Sequence, residues 1–430
     1  MKQATAILAE LAHDHGSWSA PLLLLATVIP LFLPGLAGVF LVAACVVLVV
    51  AHRADHGHRS GRHLLRSPLG WMTALYLCYV LGLAWSTNMD YAVFDLQVKA
   101  LMLLIPLVVL LVPERSRSGG TALLNAFAVA CALASASCMA VAVGHYVHHV
   151  IGYHGGTMNA PTTAYFISSN FSLFLHPSYF ALYLMLALVF VELHPFASRV
   201  WGAIIRGLLI AGAVLCASKA GWMAMGAWWT ISLVLHWRDK ASRRRVFSGA
   251  SAAVALLAML VLLSPFFQEK VGQFSHAAKG APVDVSAKGS TESRELIWAA
   301  AGPLIREHMP WGTGTGDVKD VLIQRYRELG YTHAVEQRLN AHSQLLQTPL
   351  TLGLPGALLM VCLLLVPAVH AIKHRDELMV AFIVLLALNW AVESMLETQA
   401  GVLFLSWGAL MLAMRSSPPE PILARTTGNP

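Results

Sequence analysis

The stretch GTALLNAFAVACALASASCMAVAVGHY, residues 120–146, carries no Lys, Arg, Asp or Glu. A helix needs about 20 apolar residues to cross a hydrocarbon core of about 30 Å, so this run alone is long enough. Comparable apolar runs recur on both sides of it, at 19–33, 36–52, 69–86, 97–113, 176–194, 200–217, 219–237, 247–267, 344–371, 377–392 and 399–415. The whole chain has 430 residues, 57% of them hydrophobic and only 12% charged. Soluble domains carry about 25% charged residues, which excludes an ordinary cytosolic enzyme. Disorder is excluded as well, because it requires low hydrophobicity and high charge. The expected fold class is an all-α polytopic membrane protein with about twelve transmembrane helices. The first 17 residues mix Lys2, Glu10, His13, Asp14 and His15. They read as a short surface helix over 4–13, not as a signal peptide. No internal repeat is visible.

Basic residues fix the expected orientation, because Lys and Arg accumulate in short cytoplasmic loops. With the N-terminus inside, eighteen of the twenty-nine Lys and Arg fall in inner segments, and only Lys99 and Lys219 fall in short outer ones. The other nine lie in one long outer segment, which the rule does not count. The net charge of +7 is therefore a topology signal, and no nucleic-acid partner is implied. Arg243, Arg244 and Arg245 read as a membrane-surface anchor. The six cysteines, Cys45, Cys78, Cys131, Cys138, Cys216 and Cys362, all fall in apolar runs without zinc spacing. A disulfide-stapled ectodomain is not expected.

These signals divide the chain into transmembrane helices 1–9 over 1–267, a loop domain over 268–343, helices 10–12 over 344–416 and a cytoplasmic tail over 417–430. Within the loop domain, Thr291 to about His308 places Leu296, Ile297, Ala300, Ala301, Leu304 and Ile305 on one face, predicting a helix. A turn-rich hinge follows at Pro310–Gly316, then a polar helix over about 317–329. Gly312-Thr-Gly-Thr-Gly316 is no nucleotide loop, since no strand precedes it.

Chemistry is expected where the long loop meets the membrane. His342 opens the tenth span, which is interrupted by Pro349, Gly353, Pro355 and Gly356. Such backbone is tolerated at membrane depth against protein or a water-filled cavity. A histidine facing that cavity takes a proton from a hydroxyl, or merely hydrogen-bonds at the interface. Arg294 lies at the edge of the loop helix's apolar stripe, whereas Arg306 points to the polar face. A guanidinium there suits a phosphate; the plainer reading is an ion pair with Glu292 or Glu295. Lys219 follows Ser218, which can cap the eighth span, and a helix N-terminus plus an ammonium makes an anion site. The plainer reading is a snorkelling lysine. His176, Tyr179, Ser343 and Trp298 are candidates for lining the same cavity. Glu393 and Glu397 read mainly as loop charges at a span end. His145, His148, His149 and His154 lack the spacing of a metal site.

In combination these motifs resemble the O-antigen ligase and polymerase superfamily of bacterial inner-membrane glycosyltransferases. The resemblance rests on His342-Ser343 with Gly353 after nine intervening residues, on Ser293-Arg294-Glu-Leu-Ile-Trp298 followed by Pro310 and Gly312-Thr-Gly314, and on Ser218-Lys219 at the start of a span. Their order and placement also fit, with one large periplasmic loop late in the chain. The resemblance implies a GT-C-like fold with both termini cytoplasmic and a periplasmic active site. It implies transfer of O-antigen from undecaprenyl pyrophosphate to lipid A–core in lipopolysaccharide biosynthesis, among membrane lipids. His342 would act on the acceptor hydroxyl as base or orienting group, and Arg294 and Lys219 would bind the pyrophosphate. Lys219 stands where the family more often has arginine. Lipid pyrophosphate is already a good leaving group and needs its growing charge stabilised, so fixed cations suffice. Metal-independent, inverting transfer is expected, with no cofactor.

Three other functions fit parts of this pattern. A polymerase of the same superfamily tends to place Gly eleven residues after a loop arginine; eleven residues after Arg294, Arg306, Arg325 and Arg338 stand Ile305, Asp317, Glu336 and Pro349. A protein O-oligosaccharyltransferase would differ only in its acceptor. A transporter would carry charges buried in mid-span and related halves, and the span centres here are nearly free of charge.

Overall fold

The computed structural model describes residues 20–51, 64–112, 119–151, 162–263, 268 and 290–415. The expected surface helix at 4–13, His154, residues 269–289 and the 417–430 tail lie outside these. The described residues form helices and connecting turns, with no strand. The principal helices are α1 (Ala20–Phe32), α2 (Ala37–Ala51), α3 (Pro68–Leu81), α4 (Met89–Lys99), α5 (Leu101–Leu111), α6 (Gly120–Ile151), α7 (Pro177–Leu193), α8 (Arg199–Leu215), α9 (Lys219–Leu235) and α10 (Lys240–Leu263). They continue with α11 (Ser290–Glu307), α12 (Val318–Glu328), α13 (Gln344–Lys373), α14 (Glu377–Val392) and α15 (Gln399–Ala413).

Each of the twelve apolar runs falls on one of these helices, but length and polarity separate them. Four helical segments are long and apolar enough to cross a membrane: Pro34–Ala51, Pro68–Trp85, Gly120–His149 and Gln344–Lys373. The pair α4 and α5, bent by 40° at Ala100, adds a fifth. α1, α7, α14 and α15 are apolar but shorter. α8 and α9 are also short, at 17 residues each, whereas α10 has 24 residues but opens on the charged run Lys240 to Arg245. Ser198, Ser218, Asp376 and Thr398 each accept a backbone N–H in the first turn of α8, α9, α14 and α15, satisfying one of the donors that a helix start leaves open.

The bundle is built around α7 and α15. Every residue from Tyr179 to Glu192 in α7, and from Gly401 to Leu412 in α15, is buried. The circumference is apolar instead: Val39, Val234, Leu262 and Ile372 are all more than 60% exposed. Apolar residues both inside and outside are what a lipid solvent selects, and this is a membrane protein. Where α7 ends, buried Glu192 accepts from Arg206 Nε at 2.9 Å and Trp228 Nε1 at 2.8 Å, tying α7 to α8 and α9.

A second, smaller core caps the opposite end of α7. Ile297, Ala300, Ala301 and Leu304 of α11 pack with Val318, Leu322 and Tyr326 of α12, Ala341, and Leu350 of α13. The loop helix therefore buries its expected face, and Arg306 is exposed as expected. The second loop helix was expected over 317–329 and runs from Val318 to Glu328. α4 was not expected: Asp90 and Asp95 interrupt the apolar pattern, yet the chain is helical from Met89.

The glycine-rich run after Pro310 is a fixed strap, not a hinge. Thr313 N and Gly314 N donate to Leu350 O and Thr351 O at 2.8 and 3.0 Å. Thr315 Oγ1 donates to Tyr79 O at 2.7 Å, and Gly316 N to Ser86 Oγ at 2.9 Å. The strap thus joins α13 to α3. Of the four residues expected to break the tenth span, only Gly353 leaves helical geometry, at φ +64°. Leu354 N donates to Pro310 O at 2.8 Å, and a Cβ at Gly353 would lie 1.9 Å from that same oxygen. Glycine is required there by both torsion and space. Gly353→Ala is expected to destabilise the protein by at least about 1–3 kcal/mol, read as a lower thermal midpoint of the purified protein. A wild-type midpoint would contradict the strap.

Candidate active site

Residues from four elements meet where α14 ends. Glu393, the C-cap of α14, is 5% exposed. Its Oε1 accepts from Arg294 of α11 at 2.7 Å and from Ser178 Oγ of α7 at 3.1 Å. Its Oε2 lies 3.7 Å from His342 Nδ1, just before α13. Arg294 Nε also donates to Val392 O at 3.1 Å, so the guanidinium clasps the helix end as well as the carboxylate. A buried carboxylate is tolerated only when paired and hydrogen-bonded, and the pairing here brings Arg294 and His342 to one spot.

His342 sits at φ +44°, a left-handed torsion that non-glycine residues adopt at a cost. The turn is fastened on both sides. His342 N donates to Asn340 Oδ1 at 3.0 Å and Ala341 N to Gln347 Oε1 at 3.0 Å. Trp298 Nε1 donates to Ala341 O at 3.1 Å. The same α11 helix therefore delivers Arg294 to Glu393 and, one turn on, braces the histidine's backbone through Trp298. His342's side chain is 28% exposed, so one edge of the ring remains open to an incoming group. Its Nδ1 is buried and has no hydrogen-bond partner among the described residues. The 3.7 Å separation from Glu393 is an ion-pair distance, and a movement of under about 1 Å makes it a hydrogen bond.

Burial opposes ionisation of Glu393, but His342 and the Arg294 guanidinium outweigh it and hold the carboxyl below the ordinary glutamate range. The group is an anion at neutral pH. Stability contributed by a depressed carboxylate is complete above its unfolded value and is lost as pH falls through the native one.

The other expected residues divide by what they touch. Ser343 is buried, with Oγ donating to Trp390 O and N donating to Ser394 Oγ, both at 3.2 Å; its hydroxyl is used to fix the α13 start to α14. His176 lies within electrostatic reach of Glu393, Arg294 and His342, and its ring packs 6.1 Å from that of Tyr179. Lys219 begins α9, with Ser218 accepting from Gly221 N at 3.2 Å. A Cβ at Gly221 would lie 2.7 Å from Ala181 Cβ, one turn from Ser178. That contact sets Lys219 at the same end of the bundle as Glu393. Arg294 pairs with Glu393. His145 and His149 pack on Tyr165, with centroids 5.6 and 6.0 Å away.

Glu393 is the residue the sequence reading undervalued. Its signal was indirect: a histidine and an arginine expected at one protein–lipid boundary require a nearby anion, and acids are scarce there.

The fold and this cluster define a class: a polytopic helical membrane protein with a His–Glu–Arg group set at one end of its bundle, under a small helical cap. Residues 204–361 match the family model described as O-antigen ligase, Wzy_C. Lys219, Arg294, His342 and Gly353 all fall within the matched segment. No curated protein matches the chain.

Replacing Glu393 with glutamine is expected to lower stability at pH 7 by roughly 3 kcal/mol, as when one partner of a buried pair is removed. The gap in thermal midpoint between wild type and Glu393→Gln should close as pH falls from about 5 towards 3. A gap independent of pH would contradict the assignment of Glu393 as a buried anion.

Proposed function

We propose that this protein is an O-antigen ligase. It transfers the polysaccharide from undecaprenyl pyrophosphate to a sugar hydroxyl of lipid A–core on the periplasmic side of the bacterial inner membrane, with both termini cytoplasmic and a GT-C-like bundle of twelve spans. The observation that carries the reading is the convergence of Arg294 and His342, both inside the family-matched segment, on buried Glu393, which lies beyond its end.

The acceptor oxygen attacks the anomeric carbon of the donor sugar, and the bond from that carbon to the pyrophosphate oxygen breaks. His342 Nε2 takes the hydroxyl proton, while Glu393 orients the ring through Nδ1 and stabilises the imidazolium that forms. This is the logic of a base held by a third group. Arg294 and Lys219 stabilise the negative charge that grows on the departing undecaprenyl pyrophosphate. A fixed cation in a water-poor site is worth about 10²–10³ in rate. Attack opposite the leaving group inverts the anomeric carbon. Phosphate is activated by these cations, so the reaction requires no metal.

The test uses purified protein with undecaprenyl-pyrophosphate-linked glycan, lipid A–core and EDTA, following lipid A–core by gel mobility. Wild type should give a shifted ladder. His342→Ala should lower the rate by about 10²–10⁴, and Arg294→Ala by about 10²–10³. Lengthening of the lipid-linked glycan without transfer to lipid A–core would mean a polymerase instead. Loss of transfer in EDTA would contradict the metal-independent mechanism.

A further inference from the structure

A second buried charge cluster lies beside the site. Lys99 is fully buried at the α4–α5 bend, although a lysine at a membrane boundary ordinarily extends its ammonium to water. Its Nζ donates to Asp95 and, at 3.1 Å, to Glu397 Oε1. The Asp95 and Glu397 side chains are 6% and 7% exposed. Tyr91 OH donates to Glu397 Oε2 at 3.2 Å, and the ammonium sits 4.7 Å from the centroid of the Tyr79 ring. The site residues above leave this cluster without a role.

Glu397 and Glu393 stand on one short segment, 393–398, that joins α14 to α15. The segment is fastened at both ends by charge, Glu393 to Arg294 and Glu397 to Lys99. Between them, Leu396 N donates to Gln344 Oε1 at 2.8 Å, and Gln344 N donates to Glu393 O at 3.0 Å. Gln344 Nε2 donates to Thr348 Oγ1 at 2.8 Å, and Thr348 meets Tyr79 OH at 3.4 Å. Tyr79 in turn lies under Lys99. A closed ring of buried polar contacts thus runs from Lys99 through the segment to the first turn of α13 and back through α3. His342 lies two residues before Gln344. A fault at Lys99 is therefore transmitted to both halves of the His342–Glu393 pair.

We infer that Lys99 is a positioning residue for the reaction, setting Glu393 against His342 through Glu397 and Gln344. This rests on the reading of the His342 site given above. Neutralising the buried carboxylates is the simpler role, and the two roles separate in a charge-balanced variant. Lys99→Met combined with Asp95→Asn and Glu397→Gln leaves no charge in this cluster, so the protein should fold with a wild-type gel-filtration profile. A merely neutralising lysine predicts wild-type turnover for that triple variant.

Full-length protein in lipid nanodiscs is assayed for transfer to lipid A–core. The triple variant is expected to lose about 10- to 100-fold in kcat with KM for the lipid-linked donor unchanged, as for a misplaced catalytic group. In a Glu393→Gln background the same three changes should lower kcat by less than about threefold, because residues acting through one another are non-additive. Wild-type kcat in the triple variant, or defects that multiply with Glu393→Gln, would overturn the positioning role. If wild type itself transfers nothing, the ligase reading fails, and the positioning role is then decided without turnover. Carbethoxylation of His342 by diethyl pyrocarbonate at fixed pH, followed by mass spectrometry, should be at least about twofold slower in the triple variant, and an unchanged rate would overturn it.

Discussion

A carboxylate buried at the end of α14 organises this end of the molecule. Moving an ion of that size out of water costs several kcal/mol, even after the protein relaxes. Glu393 is acceptable only because Arg294, Ser178 and His342 surround it. Those partners come from α11, α7 and the turn before α13, so satisfying one charge fixes the loop cap against the membrane bundle. The constraint works in both directions. Arg294 would be equally costly at 19% side-chain exposure without its anion, and the strained turn at His342 persists because Trp298, Gln347 and Asn340 hold it.

The proposed chemistry follows from that arrangement. A histidine with one nitrogen directed at a carboxylate and one edge exposed is set up to accept a proton and to be stabilised once it has done so. An arginine sharing the same carboxylate places positive charge beside the base, where a leaving pyrophosphate would need it. Both groups are carried on helices and on fastened turns, not on a long free loop. The glycine strap from Pro310 to Gly316 adds rigidity by joining α3 and the broken α13 through backbone hydrogen bonds. Positions such as Gly353 are thus explained by contact between two backbones rather than by contact with a ligand.

Much of this was legible in the sequence. Apolar runs located the bundle helices, because lipid demands continuous apolar surface whatever the tertiary contacts. The 3.6-residue period placed Arg294 at the edge of the α11 stripe and Arg306 in water, since that helix has one buried face. Two things were hidden for a common reason. α4 turns its polar stripe, Tyr91, Asp95 and Lys99, inward and leaves Val93 and Phe94 exposed, so its pattern reads as a charged loop. Glu393 and Glu397 read as loop charges because their partners are distant in sequence, and only the folded chain shows that they are buried. Polar contacts between distant segments leave no local period.

The central claim, that pyrophosphate-linked donor is held between Arg294 and Lys219 with its sugar at His342, is tested most directly by mapping where such a donor binds. A photoactivatable undecaprenyl pyrophosphate analogue, crosslinked to the protein in nanodiscs and located by mass spectrometry, would do this. Crosslinks should fall on peptides containing Arg294, Lys219 and residues 340–347, and unlabelled donor should compete them away. Crosslinks confined to the opposite end of the bundle, around Glu192 and Arg206, would contradict the account.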